Sequence, residues 1–188
     1  MTDDTQVTAW ALAAGRGDRD AAASFVRATQ QQVRRFLAAL ISPSEADDLA
    51  QDTYLRAMRS LPSFAGRSSA RTWLLGIARR VAVDHIRAAT ARPRTVSMPD
   101  SYDVADTTRS GFDRQVALEQ LIAGLSADRR EAFVATQILG LSYAEAAEVC
   151  NCPVGTIRSR VARSREDLVA AVNAQPDPQS RTRTDAAG

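Results

Sequence analysis

Apolar side chains in this chain recur every three or four positions and never settle into alternation, so the pattern predicts helices throughout. A first helix is expected from about Thr5 to Ala14, stopped by Gly15-Arg16-Gly17. A second runs from about Asp18 to Ile41, with Phe25, Val26, Val33, Phe36, Leu37, Leu40 and Ile41 at helical spacing. Ser42-Pro43-Ser44-Glu45 has the make-up of a helix start: a serine cap, a proline in the first turn and a glutamate three residues after the cap. The third helix then continues to about Ser60, before Pro62. A fourth begins near Ser68 or Ser69 and carries Trp73, Leu74, Ile77, Val81 and Ile86 on its apolar side.

The periodicity fails from about Ala89 to Ser110, where Pro93, Pro99 and a scatter of Ser, Thr and Asp interrupt it, and residues 91–111 read as a flexible linker. Beyond it, Leu118, Leu121, Ile122 and Leu125 fall at i, i+3, i+4, i+7 on one helix face. Ser126 is placed to cap the next helix, which closes at Gly140. Ser142-Tyr143-Ala144-Glu145 is a capping box for a short helix reaching Cys150. Asn151-Cys152-Pro153 turns the chain, and a longer helix follows to about Val172. Residues 173–188 are dominated by Pro, Asp, Ser, Arg and Gly and are expected to be disordered. The expected fold class is all-α: an N-terminal helical bundle over residues 1–90 and a C-terminal helix-turn-helix domain over 112–172.

Length and composition agree with two small soluble domains: 188 residues, 45% hydrophobic, 24% charged and only 5% aromatic, so the core is mostly aliphatic. No apolar run is long enough to span a bilayer, and the acidic start Met1-Thr2-Asp3-Asp4 is unlike a secretory signal, so a cytoplasmic location is expected. Cys150 and Cys152 are too close to staple the chain and fit a reducing compartment. His85 is the sole histidine, which leaves one candidate base for a triad and too few ligands for a zinc site. No enzyme activity, cofactor or metal is expected.

Charge is unevenly spread. All 24 basic residues are arginine. Arg56 to Arg94 holds nine arginines against one acid, Asp84, and Arg158 to Arg165 holds four against none. Ser42 to Asp52 holds four acids and no base. Two basic blocks suit a polyanion, and the acidic block suits a different partner.

Three segments carry candidate chemistry. On the last helix, Ile157, Val161, Ser164 and Leu168 form a narrow stripe facing the core. Ser159, Ala162, Arg163 and Glu166 lie opposite, flanked by Arg158 and Arg160. A short helix, a tight turn and this longer helix make a helix-turn-helix, whose second helix enters the major groove of DNA. Arginine there reads guanine edges or holds phosphates. A plain solvated basic face is the competing account. On the third helix, Asp48, Gln51, Asp52 and Leu55 share one face and Ala46, Ala50, Thr53 and Ala57 another. An exposed leucine among carboxylates and an amide suits protein docking; a solvated face or a metal set of Asp47, Asp48 and Asp52 are the alternatives. Finally, Phe64-Ala65-Gly66-Arg67-Ser68-Ser69-Ala70-Arg71-Thr72-Trp73 is rich in hydroxyls and arginine between aromatics, which suits unstacked bases. Arg79, Arg80 and Arg87 extend that positive surface.

These motifs together resemble the extracytoplasmic-function (ECF, group IV) RNA polymerase sigma factors, and within them the sigma factor C subgroup. The segment Ala46-Asp47-Asp48-Leu49-Ala50-Gln51-Asp52-Thr53-Tyr54-Leu55-Arg56-Ala57 resembles the family's core-polymerase-binding region. Phe64 to Trp73 with Leu74-Leu75-Gly76-Ile77-Ala78-Arg79-Arg80 resembles its promoter-melting and −10 regions. Leu141-Ser142-Tyr143-Ala144-Glu145-Ala146-Ala147 and Pro153-Val154-Gly155-Thr156-Ile157-Arg158-Ser159-Arg160 resemble its −35-reading helix-turn-helix. The match covers about residues 8–92 and 112–170 in the family's order.

The resemblance implies an alternative sigma factor that joins core RNA polymerase and directs promoter-specific initiation. Asp47, Asp48, Gln51, Asp52 and Leu55 would dock on the clamp helices of the largest subunit. Phe64, Arg67, Ser68, Ser69, Arg71, Thr72 and Trp73, with Arg79, Arg80, Asp84 and Arg87 on the following helix, would hold single-stranded −10 DNA around a flipped base. Gly155, Thr156, Arg158, Ser159, Arg160, Ala162 and Arg163 would meet duplex −35 DNA. An anti-sigma factor is a further partner class, and membrane insertion is not expected. The family commonly has Asn at the position of Arg80, Phe at Ala70, Trp at Met58 and a bulkier residue at Ala162, departures that bear on promoter sequence rather than class. The alternative reading is a stand-alone helix-turn-helix transcriptional regulator, which leaves the acidic helix without a partner.

Overall fold

The computed structural model describes residues 3–91 and 111–174. The greater part of the expected linker, and the tail beyond Ala174, lie outside the described residues. All regular structure among those described is helical. In chain order the helices are α1 Asp4–Gly15, α2 Arg19–Leu40, α3 Ala46–Ser60, α4 Ala70–Ala91, α5 Gly111–Ala123, α6 Ala127–Phe133, α7 Tyr143–Cys150 and α8 Val154–Ala174. A 3₁₀ turn, Leu61–Ser63, follows α3, and α6 continues into a π-helical turn, Val134–Ile138.

Helices α1 to α4 form the first unit around the fully buried Val7, Phe25, Val33, Phe36, Leu37, Leu74, Leu75 and Val81. The capping logic is local: Asp18 accepts from the Ala21 amide at the start of α2, and Ser69 accepts from the Thr72 amide at the start of α4. Gly15 is dictated by packing. A Cβ there would sit 2.5 Å from the Leu61 carbonyl oxygen, so only glycine lets α1 end against the 3₁₀ turn. One polar pair is built into this core: the Thr29 hydroxyl and Tyr54 OH are 2.7 Å apart. Burial there pushes the Tyr54 phenol up to about 12, the Thr29 bond opposing it.

Helices α5 to α8 form the second unit around Val134, Ile157 and Val161. The capping box of α7 is complete: Ser142 Oγ accepts from the Glu145 amide and Glu145 accepts from the Ser142 amide. Asn151 ends α7 in the left-handed region with φ 50°, the conformation that turns the chain into α8. Ile157, Val161 and Ser164 are buried in the expected stripe, and Leu168 is half-buried.

Four sequence expectations are corrected. The third helix opens at Ala46, not at the serine cap, because Ser42 Oγ donates to the Glu45 carboxylate at 2.8 Å and residues 43–45 remain a turn. Ile86 is exposed because α4 runs on past the bundle, leaving every residue from 86 to 91 exposed. Leu118 is exposed because α5 buries its neighbour one turn later, Ile122, with Leu125. Ser126 stands at the start of α6 without a side-chain cap bond, and the helix it opens changes to π geometry after Phe133.

The two units share one continuous apolar cluster. The main junction is α4 against α7, supported by α2 against α5 and α6.

Candidate functional site

The acidic face of α3 is only partly available as charge. Asp47 is held by Arg34 at 2.6 Å and Asp52 by Arg56 at 3.0 Å. Asp48 and Gln51 stand exposed, Asp48 without an ion pair among the described residues, and Leu55 is 53% exposed beside them. Sequence reasoning missed the other half of this surface. Ala22, Ala23 and Val26 of α2 join Tyr54, Leu55 and Met58 of α3 to wall an almost wholly apolar groove of about 280 Å³, with Gln51 at its edge. The signal existed, since Val26 belongs to the α2 apolar spacing yet is not fully buried.

The loop and helix expected to meet single-stranded DNA are arranged around the start of α4. Phe64 and Trp73 stack obliquely, with ring centroids 4.8 Å apart, and both remain half-exposed. The Ser69 and Thr72 hydroxyls are 2.9 Å apart at the helix cap, and Thr72 is buried, so these two shape the helix start. Arg71 lies 3.1 Å from the Asp4 carboxylate, close enough for attraction though not aligned for a hydrogen bond. Arg67, Arg80 and Arg87 reach solvent and make no ion pair among the described residues. A groove lined by Arg56, Arg59, Arg79, Arg80 and Arg87 has Asp84 as its one acid among the described residues.

Arg79 points the other way. Its guanidinium donates to the buried Glu131 carboxylate of α6, an ion pair across the junction of the two units. Burial raises the Glu131 pKa, partly offset by the nearby Arg79 guanidinium and Cys150 thiol. Burial beside Glu131 pushes the Cys150 thiol up as well. Beside this pair, Ser68, Thr72, Trp73, Gly76, Arg79 and Arg80 face Glu148, Val149 and Asn151 across a cleft of about 350 Å³. Glu131 had no sequence signal, because its role depends on the other unit.

The outer face of α8 is presented to solvent. Gly155, Arg158, Ser159, Ala162 and Arg163 are exposed and Thr156 is half-buried. Ser159 Oγ donates to the Thr156 carbonyl at 2.9 Å. Arg160 is turned inward, donating to Asp128 at 2.5 Å and towards the Cys152 sulfur at 3.7 Å.

These surfaces follow the order of known modules. Residues 25–92 match Sigma-70 region 2 and residues 115–168 match Sigma-70, region 4. Over 178 residues the chain is 53% identical to the ECF RNA polymerase sigma factor SigC of Mycobacterium tuberculosis, covering 94% of this chain and 95% of that protein. The chain is an ECF RNA polymerase sigma factor. Its fold is that of CnrH bound to the cytosolic domain of CnrY, with a TM-score of 0.71 and 24% identity over 93% of this chain and all of that one. It is also similar to the sigma factor RpoE of Bartonella quintana in complex with the anti-sigma factor NepR, with a TM-score of 0.61 and 28% identity over 80% of this chain and 96% of that one.

As a sigma factor, the protein associates with RNA polymerase and promoter DNA to direct transcription initiation. Among the described residues, no helix is long and apolar enough to cross a membrane, and no group of three or more His, Cys, Asp or Glu is placed to hold a metal.

Proposed function

We propose that this sigma factor divides its work among three surfaces, with residues 1–90 as the region 2 domain, 91–111 as the linker, 112–172 as the region 4 domain and 173–188 as a tail. Asp48, Gln51 and Leu55, with the apolar groove of α2 and α3, dock core polymerase on its clamp helices, and Asp47 and Asp52 shape that face through their arginine partners. The half-exposed Phe64 and Trp73 and the cations Arg67, Arg80 and Arg87 receive unpaired −10 bases and phosphates. Ser68, Ser69, Arg71 and Thr72 hold the loop that carries them. On α8, Arg158, Ser159, Ala162 and Arg163 read the −35 duplex, while Gly155 and Thr156 let the helix start approach the backbone. Arg160 braces the helix through Asp128. The protein acts in the cytoplasm as an initiation factor without catalysis of its own. By analogy with the relative bound to NepR, an anti-sigma factor is a partner class for this chain.

The observation that carries the docking assignment is the exposed Leu55 and unpaired Asp48 beside an apolar groove among the described residues, the arrangement of an apolar centre with a charged rim. Run-off transcription with purified core polymerase on a promoter library tests it. Protein-dependent, start-specific transcripts are expected, with Asp48→Arg lowering core affinity roughly tenfold or more, since a like charge is then placed against the partner. Full core affinity in Asp48→Arg moves the docking face elsewhere. Duplex binding by the free protein with no transcripts and no core binding overturns the whole scheme.

A further inference from the structure

Arg56 occupies a place between two of these surfaces. It lies on α3 one turn after Asp52, yet its guanidinium also reaches α4. One edge forks onto Asp52, with Nη2 at 3.0 Å and Nε at 3.3 Å, and Nη1 donates to Asp84 Oδ2 at 2.7 Å. Its donors thus serve one carboxylate on the docking helix and one on the −10 helix.

Among the described residues, Asp84 is the only acid lining the groove that holds Arg56, Arg59, Arg79, Arg80 and Arg87. Arg80 is its i−4 neighbour and Arg87 its i+3 neighbour, both within reach of an ion pair along one helix. In the structure Asp84 instead turns to Arg56, and neither Arg80 nor Arg87 shows an ion pair among the described residues. The two paired side chains, Arg56 and Asp84, are about half-exposed, so this pairing is a choice of partner more than a source of stability.

We propose that Arg56 is a positioning residue: by holding Asp84 and Asp52 together it joins the docking helix to the −10 helix and keeps Arg80 and Arg87 available to DNA phosphates. Asp84 is then an internal counter-ion and not a reader of bases. Without Arg56, the Asp84 carboxylate captures one of its helix neighbours and leaves its own negative charge in the DNA groove. The ion pairing is a property of the free protein; the consequence for DNA rests on the −10 role proposed above.

Two arms keep the two separate. In the free full-length protein, NMR of arginine Nε–H groups follows who holds whom. Arg56 is expected to exchange slowly in the wild type; in Arg56→Met, Arg80 or Arg87 is expected to become slow instead. No change at Arg80 and Arg87 overturns the capture, whatever the protein's DNA role. In the second arm, holoenzyme made with each variant is titrated with a fluorescein-labelled bubble duplex of a promoter recovered by run-off transcription. Arg56→Met is expected to weaken binding about fivefold, the scale of one exposed charge pair. The slope of log affinity against log salt falls by about one, as it does when one phosphate is no longer neutralised by the protein. Asp84→Asn alone tightens binding, and Arg56→Met with Asp84→Asn recovers the affinity of the wild type. Arg56→Lys, able to reach one carboxylate at a time, falls between. A double variant as weak as Arg56→Met makes Arg56 a direct DNA contact or a fold element, and weaker binding with Asp84→Asn alone makes Asp84 a base reader; either overturns the proposal. Thermal melting of each variant separates unfolding from these effects. If wild-type holoenzyme binds no promoter bubble, the −10 reading fails while the NMR arm still decides the ion pairing.

Discussion

Helix α8 turns its arginine face to solvent, whereas α4 gives one of its arginines to the junction and lies beside a cleft closed by the other unit. Arg158 and Arg163 are exposed, while Arg79 is committed to Glu131 and Arg80 lines the cleft with Glu148 and Asn151. Both helices are basic in sequence, so composition alone ranks them as equals. Their difference comes from what stands opposite. A carboxylate buried at 6% exposure on α6 holds α4, and nothing among the described residues covers the outer face of α8. Under the proposed assignment the units part at α4 before its whole face serves a DNA strand, while α8 needs no such step.

The sharpest way to break this contrast is Arg79→Met. Removing one partner leaves the Glu131 charge buried and uncompensated, and the packed arrangement is expected to be weakened by about 3 kcal/mol. Small-angle scattering then reports an extended particle; an unchanged profile means that apolar packing between α4 and α7 holds the units alone. Next in size, Arg163→Ala on the open helix should cost about 2 kcal/mol of −35 duplex affinity while leaving the scattering profile unchanged. Equal affinity in a fluorescence anisotropy titration would remove Arg163 from the reading set.

The smallest effect is pH. Burial raises the Glu131 pKa in the packed arrangement, against the opposing pull of Arg79 and the Cys150 thiol. The packed form therefore binds a proton more readily than the parted form. Packing is favoured fully below the ordinary carboxylate range and weakens as pH rises through the raised value. Hydrogen exchange at the junction should speed up beyond its intrinsic pH dependence as pH rises from the ordinary carboxylate range, and Glu131→Gln should abolish that excess. An excess that survives in Glu131→Gln assigns the titration to another group.

Features that depend on one helix or one turn were legible in the sequence. The Ser142 and Glu145 capping box, the turn at Asn151 and the Ile157, Val161 and Ser164 stripe require only local spacing, and the structure has each of them. Features that depend on distant partners were not. The periodicity of α4 and α5 could not reveal that Ile86 and Leu118 are left exposed, because helical spacing repeats whether or not something packs on it. Ser42 failed as a cap because its hydroxyl bonds the Glu45 side chain. At the candidate site the same division holds. The residues of the acidic face were named from α3 alone, but which acids stay unpaired was set by Arg34 and Arg56, and the groove beside Leu55 was completed by α2.

One atom at the junction has a chemical consequence. Cys150 is 2% exposed, and burial beside the Glu131 carboxylate holds its thiol pKa well above the usual thiol range. A sulfur kept protonated is a poor nucleophile. A buried, protonated sulfur is expected to react slowly with peroxides and disulfides, so the seam between the two units is not built on a reactive thiolate.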